Sequence, residues 1–113
     1  MMAEMQFSRG VKEEVVPDVR ITRAKDLSDA TATFYFDRPN ALVGENGEVT
    51  GLYMIDEEGE LTTRDVNGKF VNGEPAGIEA VFVMRGQDEW ERFMRFMDRY
   101  AKDNGLGLTK NEE

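Results

Sequence analysis

The sequence predicts an α+β fold: an antiparallel sheet of about four to five strands, arranged as a meander and backed by one long C-terminal helix. Three observations carry this expectation. Several short stretches place apolar residues at every second position, Gly-containing turns separate them, and one strongly amphipathic stretch lies near the end of the chain. At 113 residues the chain suits a single domain spanning 1–113, large enough for a core and too small for two.

The strands follow in order. "MQFS" near the start reads as a short edge strand. "VRITRA", after Pro17, sets Val19, Ile21 and Arg23 against Arg20 and Thr22. "ATATFYF" (Ala30 to Phe36) places Ala32, Phe34 and Phe36 on one face and Thr31, Thr33 and Tyr35 on the other. Pro39 ends that strand, and the interval from Pro39 to Val49 is expected to hold a short helix or loop. "GLYMID" is apolar on both faces, as a central strand is. "DEEGE" (Asp56 to Glu60) is a solvated turn, with Gly59 available for positive φ. "ELTTRDVNGKFVNG" contains Asn-Gly twice, and two tight turns would leave only Lys69-Phe70-Val71 between them. It therefore reads as one long strand with a bulge near Gly68, turning at Asn72-Gly73-Glu74-Pro75. "GIEAVFVMR" returns, with Ile78, Ala80, Phe82 and Met84 facing the core.

The helix is predicted over Asp88–Asn104. Asp88 and Glu91 have capping-box spacing, and Gly105 stands where a helix of this length terminates. Within it, "EWERFMRFMDRY" places Trp90, Phe93, Met94, Met97 and Tyr100, with Ala101 beyond, on one stripe, and Phe96 on its flank. Arg92, Arg95 and Arg99 lie almost opposite. Such a stripe suits a membrane-surface helix with arginines on anionic headgroups. It suits better a helix laid across a sheet that has no other strong helix to cover it, with each arginine paired to Asp88, Glu91 or a nearby acid.

Composition removes several function classes. The chain has no Cys and no His, so disulfides, thiol nucleophiles, Ser-His-Asp machinery and the commonest transition-metal ligand are all excluded. A formal net charge of −9 argues against a nucleic-acid partner, whose phosphates would repel it. No stretch approaches the roughly 20 apolar residues of a membrane span, and the start lacks a basic region followed by an apolar one. A cytosolic or stromal type of protein without autonomous membrane insertion is expected. "DEEGE" fails calcium-loop spacing, and the glycines form no phosphate-binding loop. With no catalytic constellation, metal site or cofactor motif, binding is the default class. The alternative is a small acidic ligand-binding or acid-based hydrolase domain.

The phrases "PDVRITR", "TATFYF", "GLYMIDEEGE", "KFVNGEP" and "WERFMRFMDRYAKDNGLG", in this order from about Glu4 to Lys110, resemble the photosystem II assembly proteins of the Psb-twenty-eight family. The resemblance implies a non-enzymatic, cofactor-free accessory factor, a monomer or weak dimer, peripheral on the cytoplasmic side of the thylakoid membrane. It implies transient binding to photosystem II core and inner antenna subunits. The mode would be strand addition to the inner antenna tail, with contact near the secondary quinone site.

Strand addition requires an open sheet edge, and Leu61 to Val71 suits one. The candidate partner-binding residues are Thr62, Thr63, Arg64, Lys69 and Phe70. Thr and Phe favour extended backbone, and Arg64 and Lys69 are placed to meet a carboxylate. The same residues also suit a structural hairpin strand whose charges merely blunt an edge. The strand around Val19–Ala24 is the second choice.

Overall fold

The computed structural model describes residues 3–26, 29–43, 49–105 and 109–112. Along these residues run β1 (Glu4–Ser8), β2 (Val11–Lys12), β3 (Asp18–Arg23), β4 (Asp29–Asp37), α1 (Asn40–Val43), β5 (Leu52–Asp56), β6 (Gly59–Thr63), β7 (Val66–Val71), β8 (Glu74–Arg85), α2 (Gln87–Asn104) and β9 (Thr109–Glu112). The class is α+β with a long C-terminal helix, as expected. The strands, however, divide into two sheets, ordered β2-β1-β5-β6 and β7-β8-β4-β3-β9. All pairings are antiparallel except that of β3 with β9.

Alternation decides which faces meet. In β4, Ala32, Phe34 and Phe36 are buried, and their partners on β3 and β8 include Ile21, Val19, Ala80 and Ile78. In the smaller sheet, Met5 pairs with Met54 and both are sealed from solvent. Phe36 meets Phe7 of β1 edge-on at 4.7 Å, and Phe34 meets Phe93 of α2 at 6.1 Å. One face of the larger sheet is thus shared between the smaller sheet and the helix. Because α2 touches β4 and β8 on one side and β5 on the other, it buries a wider arc than a flat sheet would. That is why Phe96, expected on the flank, is fully buried with Phe93, Met97 and Tyr100.

Four expectations are corrected. "MQFS" is not an edge strand, because the two-residue β2 pairs outside it. The long strand through Thr63 and Val66 is two strands. The chain leaves the smaller sheet after Thr63 and enters the larger at Val66. The Thr63 hydroxyl donates to the Val81 carbonyl at 2.6 Å, and Val81 N–H donates to the Asp65 carbonyl at 2.9 Å. Asp88 does not cap α2. Gly86, at φ 89°, occupies that position without a side-chain cap, and the Glu89 carboxylate instead accepts from Arg85 N–H at 2.8 Å. Finally, Asp56 of the "DEEGE" turn is buried rather than solvated.

Other readings agree with the structure. Gly105 closes α2 in the left-handed region, its N–H donating to the Ala101 carbonyl. The β7–β8 turn falls at Asn72 and Gly73, both with positive φ, the backbone that an Asn-Gly hairpin turn requires. A bulge does form beside Gly68, but in the partner strand rather than the expected one: Lys69 pairs with Gly77 and Phe70 with Pro75, so the extra residue is Ala76 of β8. Its carbonyl accepts from Arg38 N–H at 2.9 Å. A short helix does form after Pro39, while residues 44–48 of that interval lie outside the described residues. Buried Glu13 anchors this helix, accepting from the N–H groups of Asn40 and Ala41 at 3.0 Å each and from that of Val15.

Gly77 is where the larger sheet tolerates no side chain. A Cβ there would lie 2.7 Å from the Phe36 carbonyl oxygen and would strike the Tyr35 ring, which covers the glycine. Gly77→Ala is expected to cost about 2 kcal/mol by forced repacking, read as a lowered midpoint in urea unfolding. An unchanged midpoint would show that the strands part without strain.

Candidate functional site

Each sheet has two outer strands, and they are not equivalent. In the larger sheet the outer side of β3 is occupied by β9. That removes the Val19–Ala24 strand from the candidate open edges. The other outer strand, β7, has no strand paired on its outer side among the described residues. It also carries the two most exposed large apolar residues described, Phe70 at 65% and Val71 at 61%.

The register identifies the backbone groups that β7 presents. Antiparallel ladders alternate bonded and non-bonded residue pairs. The Val81 N–H to Asp65 carbonyl bond marks that level as bonded. Two residues on, Asn67–Glu79 and then Lys69–Gly77 belong to the same set. Val66 and Gly68, between them, direct N–H and C=O away from β8. The Val66 N–H turns back to the Arg64 carbonyl at 2.9 Å, so Gly68 is the residue whose donor and acceptor both face the open side. Sequence reading passed over Gly68 as a bulge glycine. The available signal was a glycine within a strand, which also marks places where another backbone approaches closely.

The five sequence-derived residues are not brought together. Thr62 lies on β6, one of the outer strands of the smaller sheet, and its hydroxyl donates to the Glu60 carboxylate at 2.8 Å. Thr63 is the fastening between the sheets, and Arg64 is exposed in the crossover. Lys69 and Phe70 share β7. Lys69 lies on the outward face, where its Nζ stands 3.4 Å from a Glu79 carboxylate oxygen. Phe70 lies on the opposite face, its ring edge beside Gly68.

The strongest charge cluster lies elsewhere, between α2 and the β5–β6 hairpin. Arg92 grips Asp56 with two bonds of 2.7 and 3.0 Å, and Arg99 adds a third at 2.8 Å. Arg95 holds Glu58 with bonds of 2.8 and 2.9 Å, and Arg99 reaches the same carboxylate at 2.6 Å. Burial works to raise the Asp56 carboxyl, but Arg92 and Arg99, with the Glu58 N–H, outweigh it and hold the group below its ordinary value. Arg95, then Arg99, pull Glu58 down to about 2. Acid catalysis would need a carboxyl pushed upward. Each carboxyl with a resolved shift among the described residues moves downward, Glu60 included. The described residues also contain no acidic group set to hold a metal ion. The cluster fastens the helix to the smaller sheet.

A family model described as "Psb28 protein" matches residues 5–108. The chain is 61% identical over 111 residues to the photosystem II reaction center Psb28 protein of Synechococcus elongatus, covering 97% of this chain and 99% of that one. It is 62% identical over 111 residues to the photosystem II assembly factor Psb28 protein of Thermosynechococcus vestitus, covering 98% and 96%. The photosystem II reaction center Psb28 protein of Guillardia theta is 57% identical over 112 residues, with coverage of 96% and 97%.

Two outcomes follow from the arginine cluster. Asp56→Ala leaves Arg92 and Arg99 without their buried partner and is expected to cost about 3 kcal/mol, measured by urea unfolding. A loss near zero would show that the guanidinium groups find other partners. The cluster also sets an acid limit. Both carboxyls have folded values below their ordinary 3.8 and 4.5, so their contribution is complete above the higher figure and is lost as pH falls toward about 2. Stability that held constant down this range would contradict the lock.

Proposed function

The chain belongs to the Psb28 protein family, and from that premise we propose that it is a non-enzymatic accessory factor in the assembly or repair of photosystem II. It docks transiently as a peripheral protein on the cytoplasmic side of the thylakoid. It does so by accepting an extended segment of a photosystem II core or inner antenna subunit, the inner antenna tail, at the β7 edge. A further contact lies near the secondary quinone site. The observation that carries the docking mode is the Gly68 backbone, with donor and acceptor both turned to a side where no strand pairs among the described residues.

Three features support the reading. Relatives of near-full-length similarity carry the names of a photosystem II reaction center protein and a photosystem II assembly factor. No helix among the described residues is long and apolar enough to cross a membrane, which fits peripheral attachment. The apolar stripe of α2 is spent on the core, so it is not offered to a partner, which is consistent with docking at a sheet edge.

Affinity isolation of the tagged protein from thylakoids in mild detergent tests this directly. Photosystem II core and inner antenna subunits are expected to co-purify. Gly68→Pro removes the outward N–H from an edge strand without touching a bond to β8. This variant is expected to keep its unfolding midpoint within about 1 kcal/mol and to lose most of the recovered antenna subunit. Recovery of no photosystem II subunit by the unaltered protein would refute the function. Normal recovery by a folded Gly68→Pro would move the docking edge elsewhere.

A further inference from the structure

Beside the open edge lies a cavity of about 210 Å³. Among the described residues its walls are Leu42, Val49, Val66, Gly68 and Ile78, none of them charged. Glu13 holds α1 by its first N–H groups and so places Leu42 over this spot. Val66 and Gly68 lie on the same face of β7 as their partners Ala80 and Ile78 on β8. Gly68 is therefore both the backbone docking point and the gap in the side-chain wall.

These facts constrain what can dock there. Antiparallel addition is the stronger pairing per residue. In that arrangement the partner residue opposite Gly68 exchanges both backbone bonds with it. Its side chain then points to the cavity face, through the space where a larger residue on β7 would stand. The two flanking partner residues point to the outward face, one opposite Asn67 and the other, immediately preceding, opposite Lys69. Lys69 is half exposed at 48% and its contact with Glu79 is long at 3.4 Å. An ammonium group has three donors, so it can hold Glu79 and a partner carboxylate together. Without Lys69, the Glu79 charge would repel an acid at that position.

Resting on the docking reading above, we propose that the partner segment is an extended chain in which an acidic residue directly precedes a branched aliphatic one. The aliphatic side chain enters the cavity opposite Gly68 and the acid meets Lys69. Phe70, on the cavity face and exposed, folds against the inserted side chain. The order matters, because in an antiparallel strand only the residue before the aliphatic one lies opposite Lys69.

The test uses short blocked peptides of alternating Thr and Val that differ only at the central pair: Asp-Leu, Leu-Asp, Lys-Leu or Asp-Ser. Each is titrated into the isotopically labelled full chain, reading amide shifts from Val66 to Val71 and the dissociation constant. Asp-Leu is expected to bind about tenfold more tightly than Asp-Ser, the scale of one apolar group in a pocket, and more tightly than Leu-Asp and Lys-Leu. Gly68→Val fills the gap. It is expected to fold, because the nearest heavy atom to an added Cβ is Phe70 Cε1 at 3.3 Å, the edge of an exposed ring. In this variant the preference for Leu over Ser should vanish. Equal affinities for all four peptides, with shifts still centred on β7, would overturn the specificity while leaving the docking edge intact. No β7 shifts from any peptide would overturn both.

Discussion

The passage of the chain from one sheet to the other at Thr63–Val66 is the constraint on which the rest depends. Two bonds fix it, from the Thr63 hydroxyl to the Val81 carbonyl and from Val81 N–H to the Asp65 carbonyl. By ending β6 here and starting β7 in another sheet, the chain makes each of them an outer strand. The second bond also sets the phase of the β7–β8 ladder. Had the chain entered β8's edge one residue earlier or later, Gly68 would bond to β8 and a bulkier neighbour would face outward. The register thus determines which backbone groups are offered and which side chains flank them.

Several surfaces around this edge are already occupied. The opposite side of the larger sheet is taken by β9. The apolar face of α2 is buried against both sheets, and its arginines are held by Asp56 and Glu58. A helix that resembles a membrane-surface amphipath by its pattern is therefore structural on both faces, apolar stripe inward and cations fastened to the β5–β6 hairpin. Such pairing turns α2, the hairpin and β8 into one support. A rigid support lowers the ordering cost of accepting a flexible segment at its margin.

Local pattern made much of this legible. The strands containing Val19, Phe34, Met54 and Ala80 follow from period-two alternation, and the end of α2 follows from Gly105. What sequence reading missed involves partners distant along the chain. No Gly or Pro marks the break at Arg64-Asp65, and the hydroxyl bond that creates it joins residues 18 apart. Asp56 reads as part of a solvated turn because Arg92 and Arg99, which bury and pair it, are 36 and 43 residues away. The expected cap at Asp88 yielded to Gly86, whose positive φ turns the chain sharply from β8 into α2. At the candidate edge, extended-backbone preference and charge found Lys69 and Phe70. Neither could single out Gly68, whose outward-facing backbone follows from the register of β7 on β8.

Hydrogen–deuterium exchange of the protein bound to photosystem II assembly intermediates, compared with the free protein, tests the central claim most directly. An added strand bonds the outward N–H of Gly68, so slowed exchange is expected in Val66–Val71. β3, already covered by β9, and α2, whose apolar face is already buried, should exchange as in the free protein. Protection that spares β7 and appears instead along α2 or at β6 would contradict the account.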